Sequence, residues 1–228
     1  MQALLLAAGM GKRLGRYTND GTKCMVRVNG ISLIERTISA LVACNIQRFV
    51  IVVGYKGDIL KEFIAQKFSK EDLHGMEIEY IENPVYDKTN NIYSLYLARD
   101  YLLAEDTMLF ESDTIFEDRV IESLYSDKRE TLALVDKYES WMDGTVVRIS
   151  PDDEILDVIP GKEFNFSDTA SYYKTVNVYK FSKSFSEQYY VPFLEAYIHA
   201  VGNSVYYENV LRILTMLDNT GIHAVTSG

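Results

Sequence analysis

The chain has 228 residues, 47% hydrophobic and 25% charged, an ordinary globular composition that excludes disordered and fibrous classes. Its 33 acids against 23 bases give a net charge of −10, which argues against general nucleic-acid binding, and no apolar run approaches the ~20 residues of a membrane span. The N-terminus lacks the basic flank of a signal peptide. Two cysteines, Cys24 and Cys44, are too few for a disulfide scaffold, so a reducing cytoplasm is the expected setting.

Residues 4–8 form a short apolar run ending at Gly9, read as a buried strand. A loop containing glycines and bases follows to about Val28. Over 31–44, Ile31, Ile34, Ile38, Leu41 and Val42 recur at a helical period. Residues 49–54 read as a second buried strand, 57–68 as a second amphipathic helix, and 76–81 alternate as a strand does. A helix over 91–103 precedes a short strand over 108–110, which ends at Glu111-Ser112-Asp113. Strands alternating with helices predict a parallel α/β sheet. The rest differs: 131–135, 144–149, 154–159 and 173–181 read as strands with hairpin-like spacing, then helices over about 183–201 and 204–217. One domain is expected over 1–228, with a parallel half to about residue 115 and a mixed half over 116–228. Eight of the 17 tyrosines lie at or after Tyr172, giving the second half aromatic walls.

Charge is uneven along the chain. Residues 1–30 hold Lys12, Arg13, Arg16, Lys23 and Arg27 against Asp20 alone, which suits a local anion site. Residues 105–122 carry seven acids against Arg119, which suits a cation. His74, His199 and His223 are scattered, so neither a zinc cluster nor a histidine triad is expected. Cys24 has no paired base in view and reads as a packed thiol.

The loop Ala7-Ala8-Gly9-Met10-Gly11-Lys12-Arg13-Leu14 lets backbone N–H groups approach a phosphate closely, with two cations at hand. It lacks the G-x-x-x-x-G-K-[ST] of a Walker loop. It also departs from the dinucleotide fingerprint, because Gly15 comes one place late and no helix opens before residue 31. LLLAAGMGKRL, then Thr22-Lys23, then VRVNGISLIE resembles the sugar-nucleotide and choline-phosphate nucleotidyltransferases, closely over the first half and loosely over the second. Thr22 stands where that family usually has proline. The resemblance implies a Rossmann-like fold with a mixed, mainly parallel central sheet flanked by helices. It further implies that Leu6, Ala7, Ala8, Gly9, Gly11 and Lys12 surround a triphosphate, with Arg13 on its outer oxygens and Lys23 at the α-phosphate.

Asn83-Pro84-Val85-Tyr86-Asp87-Lys88-Thr89-Asn90-Asn91-Ile92-Tyr93-Ser94 offers three amides and a serine beside a strand end, suited to a nucleobase edge. Asn90 or Asn91 also suits a helix cap. The stretch looks like the phosphocholine-type cytidylyltransferases, which implies CTP, with Asn83, Asn90, Asn91 and Ser94 as nucleotide contacts. Asp113, at the carboxyl end of a parallel strand, matches the family's metal aspartate and implies Mg²⁺. Glu111 is expected behind it or in solvent.

For the acceptor, Trp141, Asp143, Tyr173, Lys174, Tyr206 and Glu208 combine aromatic faces, carboxylates and a cation, a set that suits an alkylammonium joined to an oxyanion. Tyr206-Tyr207-Glu208-Asn209 stands where phosphocholine enzymes carry Y-W-D-N. The YKTVNVYKFS run resembles the 2-aminoethylphosphonate cytidylyltransferases. The expected activity is therefore CMP transfer from CTP to 2-aminoethylphosphonate, with phosphocholine as the alternative acceptor and a non-catalytic nucleotide-binding module as the alternative class. No nucleic-acid or membrane partner is expected. In related enzymes a second metal carboxylate arrives on a strand after the last helices. Residues 222–228 stand there without an acid, and Asp218 reads as a capping or solvated residue. The natural chain is thus expected to continue, supplying that aspartate and a fused domain, or to form a homodimer.

Overall fold

Continuous hydrophobic runs make strands buried on both faces, and those strands line up in parallel. In the computed structural model, which describes residues 1–217 and 221–226, the first half comprises β1 (Gln2–Ala7), β2 (Arg27–Val28), β3 (Ile31–Ser32), α1 (Leu33–Ala43), β4 (Arg48–Val53), α2 (Gly57–Lys67), β5 (Glu77–Glu82), α3 (Asn91–Leu97), α4 (Arg99–Ala104) and β6 (Thr107–Glu111). The second half comprises α5 (Asp118–Ser126), β7 (Thr131–Lys137), β8 (Val146–Ile149), β9 (Ile155–Ile159), β10 (Tyr173–Phe181), α6 (Lys183–Phe185), α7 (Val191–Val201), α8 (Glu208–Leu214) and β11 (Ile222–Thr226). Asp218 lies outside the described residues.

The main path of the sheet runs β11-β7-β10-β6-β1-β4-β5, with β8 and β9 attached through β10. β1 sits between β4 and β6, pairing Leu5 with Ile51 on one side and with Phe110 on the other, both in parallel. β10 is the antiparallel member, set between β6 and β7. Alternate residues of β1 and β4 serve two cores. Leu4, Leu6, Val50 and Val52 pack with Ile92, Leu95, Tyr179 and Phe181. Ala3, Leu5, Ala7, Phe49 and Ile51 pack with Ile34, Ile38 and Leu60. The architecture is the mixed, mainly parallel sheet flanked by helices that the sequence implied.

Several boundaries differ from expectation. Ile31 and Ser32 pair back onto Val28 and Arg27, so α1 opens at Leu33, where Ser32 and Glu35 form a reciprocal cap. The expected 91–103 helix is two helices that meet at Ala98. The stretch 183–201 is interrupted by a π-turn over Ser186–Tyr190, and the last helix is confined to α8. α5 was not read from the sequence: it opens inside the acidic stretch and buries a narrow strip at Val120, Ile121 and Leu124. Residues 222–226 form an edge strand parallel to β7. No helix among the described residues is long and apolar enough to cross a membrane.

Candidate active site

The carboxyl ends of β1, β5 and β6 open into one cleft of about 240 Å³, the place where ligands enter an open α/β sheet. From β1 comes Leu6, from the loop that follows it Ala8, Gly9, Arg13 and Lys23, and from the end of β6 and the residues just after it Glu111, Ser112 and Asp113. The loop turns at Gly11, whose φ is +65°. A Cβ there would stand 2.6 Å from Lys23 Cγ and 3.0 Å from Thr18 Cγ2. Gly11 therefore lets the loop close over the Lys23 stem. Lys56, at the start of α2, donates to the carbonyls of Thr18 and Asn19 and ties down the far end of the loop. Lys23 Nζ reaches Asp113 Oδ2 at 2.9 Å, with both side chains partly open to solvent.

The Asn83–Ser94 stretch forms the second wall. Asn83 is buried, donating to Thr89 Oγ1 and Ser94 Oγ and accepting from the Val85 N–H. Its polar atoms thus organise the wall from within. Asn90 caps α3, its Oδ1 accepting from the Asn91 N–H at 2.8 Å. Asn91 makes a bridge: Nδ2 donates to Glu111 Oε1 at 2.9 Å, and Oδ1 accepts from the Tyr207 N–H at 3.1 Å. That bridge fastens the start of α8 to the end of β6 and brings Glu208 to the cleft.

Glu111 and Glu208 give this end of the cleft its electrostatics. Burial, and then the Glu208 and Asp113 carboxylates, push the Glu111 carboxyl up to about 8, while Asn91 and Lys23 pull it back. Glu208 is buried and pushed upward chiefly by that burial, with Asn91 and Lys174 opposing. Glu111 is half-buried on the cleft wall, with Asn91 and Glu208 as its neighbours.

Of the residues singled out in the sequence, Leu6, Ala8, Gly9, Arg13, Lys23, Asn83, Asn90, Asn91, Ser94, Asp113, Tyr206 and Glu208 line the cleft. Ala7 points into the core and Lys12 into solvent. Gly11 acts through Lys23 as described. The remaining acceptor candidates stand apart from the cleft wall. Trp141 is 75% exposed, its indole N–H donating to Glu139. Asp143 accepts from the Gly144 N–H, and the Tyr173 ring receives Lys137 Nζ at 4.4 Å. Lys174 donates to the Thr175 carbonyl at 2.8 Å; burial lowers its ammonium, while Glu208 and Asp143 raise it. Sequence reasoning passed over Tyr86, Thr89, Ser112 and Asn177, all on the cleft. Tyr86 and Thr89 lay inside the quoted amide stretch. Asn177 carried a signal only in the YKTVNVYKFS run.

A glycine loop with a lysine, an aspartate closing a parallel strand and an amide-rich wall define a Rossmann-like nucleotidyltransferase-type domain. The chain belongs to the MobA-like NTP transferase domain family, whose match spans residues 3–152. It is similar to CMP-5'-(3-aminopropyl)phosphonate synthase of Streptomyces rubellomurinus, with 29% identity over 91% of this chain and 32% of that protein. It is also similar to 2-aminoethylphosphonate cytidylyltransferase of Lancefieldella rimae, with 35% identity over 52% of this chain and 45% of that protein. The chain spans between a third and about half of these relatives' lengths. In fold it is similar to the CTP:phosphocholine cytidylyltransferase of Streptococcus pneumoniae, with a TM-score of 0.73 and 22% identity over 99% of this chain and 89% of that one.

Proposed function

We propose that this chain transfers CMP from CTP to 2-aminoethylphosphonate, giving CMP-aminoethylphosphonate and pyrophosphate. The observation that carries this reading is that one cleft holds the Lys23–Asp113 pair and, beside it, the buried carboxylate of Glu208. One side suits phosphates and the other an ammonium. The relatives are a synthase of a CMP-linked aminopropylphosphonate and an aminoethylphosphonate cytidylyltransferase, which supports the choice of nucleotide and acceptor.

In this reading a phosphonate oxygen attacks the α-phosphorus in line. The bond from that phosphorus to the β-phosphate bridge breaks, and pyrophosphate leaves. The attacking oxygen is already ionised near neutral pH, so no side chain has to remove a proton. The gain comes from alignment and from charge placed where the transition state becomes more negative. Lys23 meets the α-phosphate, Arg13 the outer phosphates, and the backbone around Gly9 cradles the chain of phosphates. Among the described residues no cluster of three or more His, Cys, Asp or Glu side chains surrounds a metal position. Asp113 offers one partly open carboxylate in the cleft, which fits Mg²⁺ bound mainly by phosphate oxygens and water. Mg²⁺ there would supply charge neutralisation of the phosphates.

The test is pyrophosphate release with CTP and, in separate reactions, 2-aminoethylphosphonate, phosphoethanolamine and phosphocholine. The expected result is release with CTP and highest kcat/KM for 2-aminoethylphosphonate. A preference for phosphocholine would replace the acceptor, and CTP binding without turnover on any of them would make the chain a nucleotide-binding module.

A further inference from the structure

The cleft holds two acceptors that lack donors. Among the described residues a handful of buried side-chain polar atoms have no hydrogen-bond partner. Only two of these belong to residues that line the cleft: Asn177 Oδ1 and Glu208 Oε2. Buried polar atoms in folded proteins are nearly always satisfied, so two orphaned acceptors in one cleft mark the place of a ligand that donates.

The backbone is bent to present Asn177. β10 pairs with β7 in one register up to Thr175 and in another from Tyr179, a bulge, and Asn177 within it has φ +58°. Asparagine adopts that left-handed conformation more readily than most side chains. Because Val178 pairs with Phe110 across the β6–β10 ladder, Asn177 is placed beside Glu111, the residue whose Asn91 bridge holds the start of α8. Asn177 and Glu208 thus reach the same end of the cleft from different elements. A carboxyl oxygen beside an amide oxygen suits a cationic donor, whose hydrogen bonds are the stronger kind.

Resting on the proposed reaction, we infer that Asn177 is a specificity-determining residue: its Oδ1, with Glu208 Oε2, receives N–H groups of a primary ammonium on the acceptor and so discriminates against a quaternary one. A primary ammonium donates three hydrogen bonds, and a trimethylammonium donates none. With a trimethylammonium bound, both oxygens would stay desolvated and unpaired.

The experiment compares wild type, Asn177→Gly and Asn177→Asp, using CTP with 2-aminoethylphosphonate or its N,N,N-trimethyl analogue. Glycine keeps φ +58° accessible and removes the carbonyl, whereas aspartate keeps an acceptor. Wild type is expected to favour the primary amine. Asn177→Gly should raise KM for the primary amine by about tenfold or more, with the KM values for CTP and the trimethyl analogue nearly unchanged. Asn177→Asp should retain the preference. An equal rise for both acceptors, a rise in the KM for CTP, or a wild type indifferent to methylation would each overturn the inference while leaving cytidylyl transfer in place. Absence of transfer to either acceptor in wild type would overturn the reaction and this inference together.

Discussion

Lys23 Nζ and Asp113 Oδ2 stand 2.9 Å apart, although ninety residues separate them in the chain. One charge suits a phosphate and the other a divalent cation, and each neutralises its partner when no ligand is bound. The pair is partly exposed, so its own contribution to stability is small. Its importance lies in placement at the point where the phosphate loop meets the end of β6.

Lys23→Ala should lower turnover far more than it weakens CTP binding. A donor aimed at developing charge is worth about 2.7–4 kcal/mol in the barrier, or 10²–10³ in kcat. Steady-state kinetics alongside calorimetric CTP titration would separate the two effects. An unchanged kcat removes Lys23 from the chemistry.

Glu208→Gln should raise the KM of an aminoalkyl phosphonate by about tenfold, since a charged hydrogen bond contributes about 1.5–3 kcal/mol. CTP affinity should change little. The variant keeps the side-chain volume, so a melting temperature close to wild type would show that recognition, not folding, was altered.

Gly11→Ala forces a Cβ into the left-handed region against the Lys23 stem. A strained backbone of this kind costs about 1–3 kcal/mol, and the displaced Lys23 should depress activity beyond that loss. Thermal unfolding and kcat measured on the same preparation check both effects; full stability with full activity would show that the loop accommodates the methyl.

Glu111→Gln should change how stability depends on pH. The Glu111 carboxyl sits near 8 in the folded chain and near the ordinary ~4.3 once unfolded. The folded state therefore holds the proton more tightly. The stability this contributes is complete below the unfolded value and is lost as pH rises through about 8. Glutamine cannot titrate, so the variant should gain on wild type between pH 5 and 9. Melting curves across that range would show the gap widening with pH, and a constant gap would contradict it.

The parallel half was legible because its signals are local. The runs around Leu5 and Ile51 are hydrophobic without interruption, and the glycine loop follows β1 immediately. Lys23 and Asp113 were singled out through the family resemblance, Asp113 also by its place at a strand end, and the fold brings them together. What stayed hidden depended on contacts distant in sequence. Asn91 resembled a base-reading amide, yet its two ends are occupied by Glu111 and by the Tyr207 backbone, twenty and 116 residues away. Trp141 suggested an aromatic wall, but its strand-end loop turns it to solvent, and nothing in residue type signals that direction. Asn177 lies in a run that reads as regular strand, and only the change of register against β7 reveals the bulge.

The central position of β1 also sets an order of assembly. Its partners are β4 and β6, so β1 gains both neighbours only after residue 111 has been made. The loop that follows β1 cannot acquire its Asp113 contact earlier, and Glu208 is fixed only when α8 docks on Asn91. Closing such distant pairings is slow, because loop entropy is lost before the contacts offset it. The cleft is therefore completed late, after the central strands have paired. A nascent chain stalled before α8 would hold the glycine loop after β1 and Asp113 but would lack Glu208.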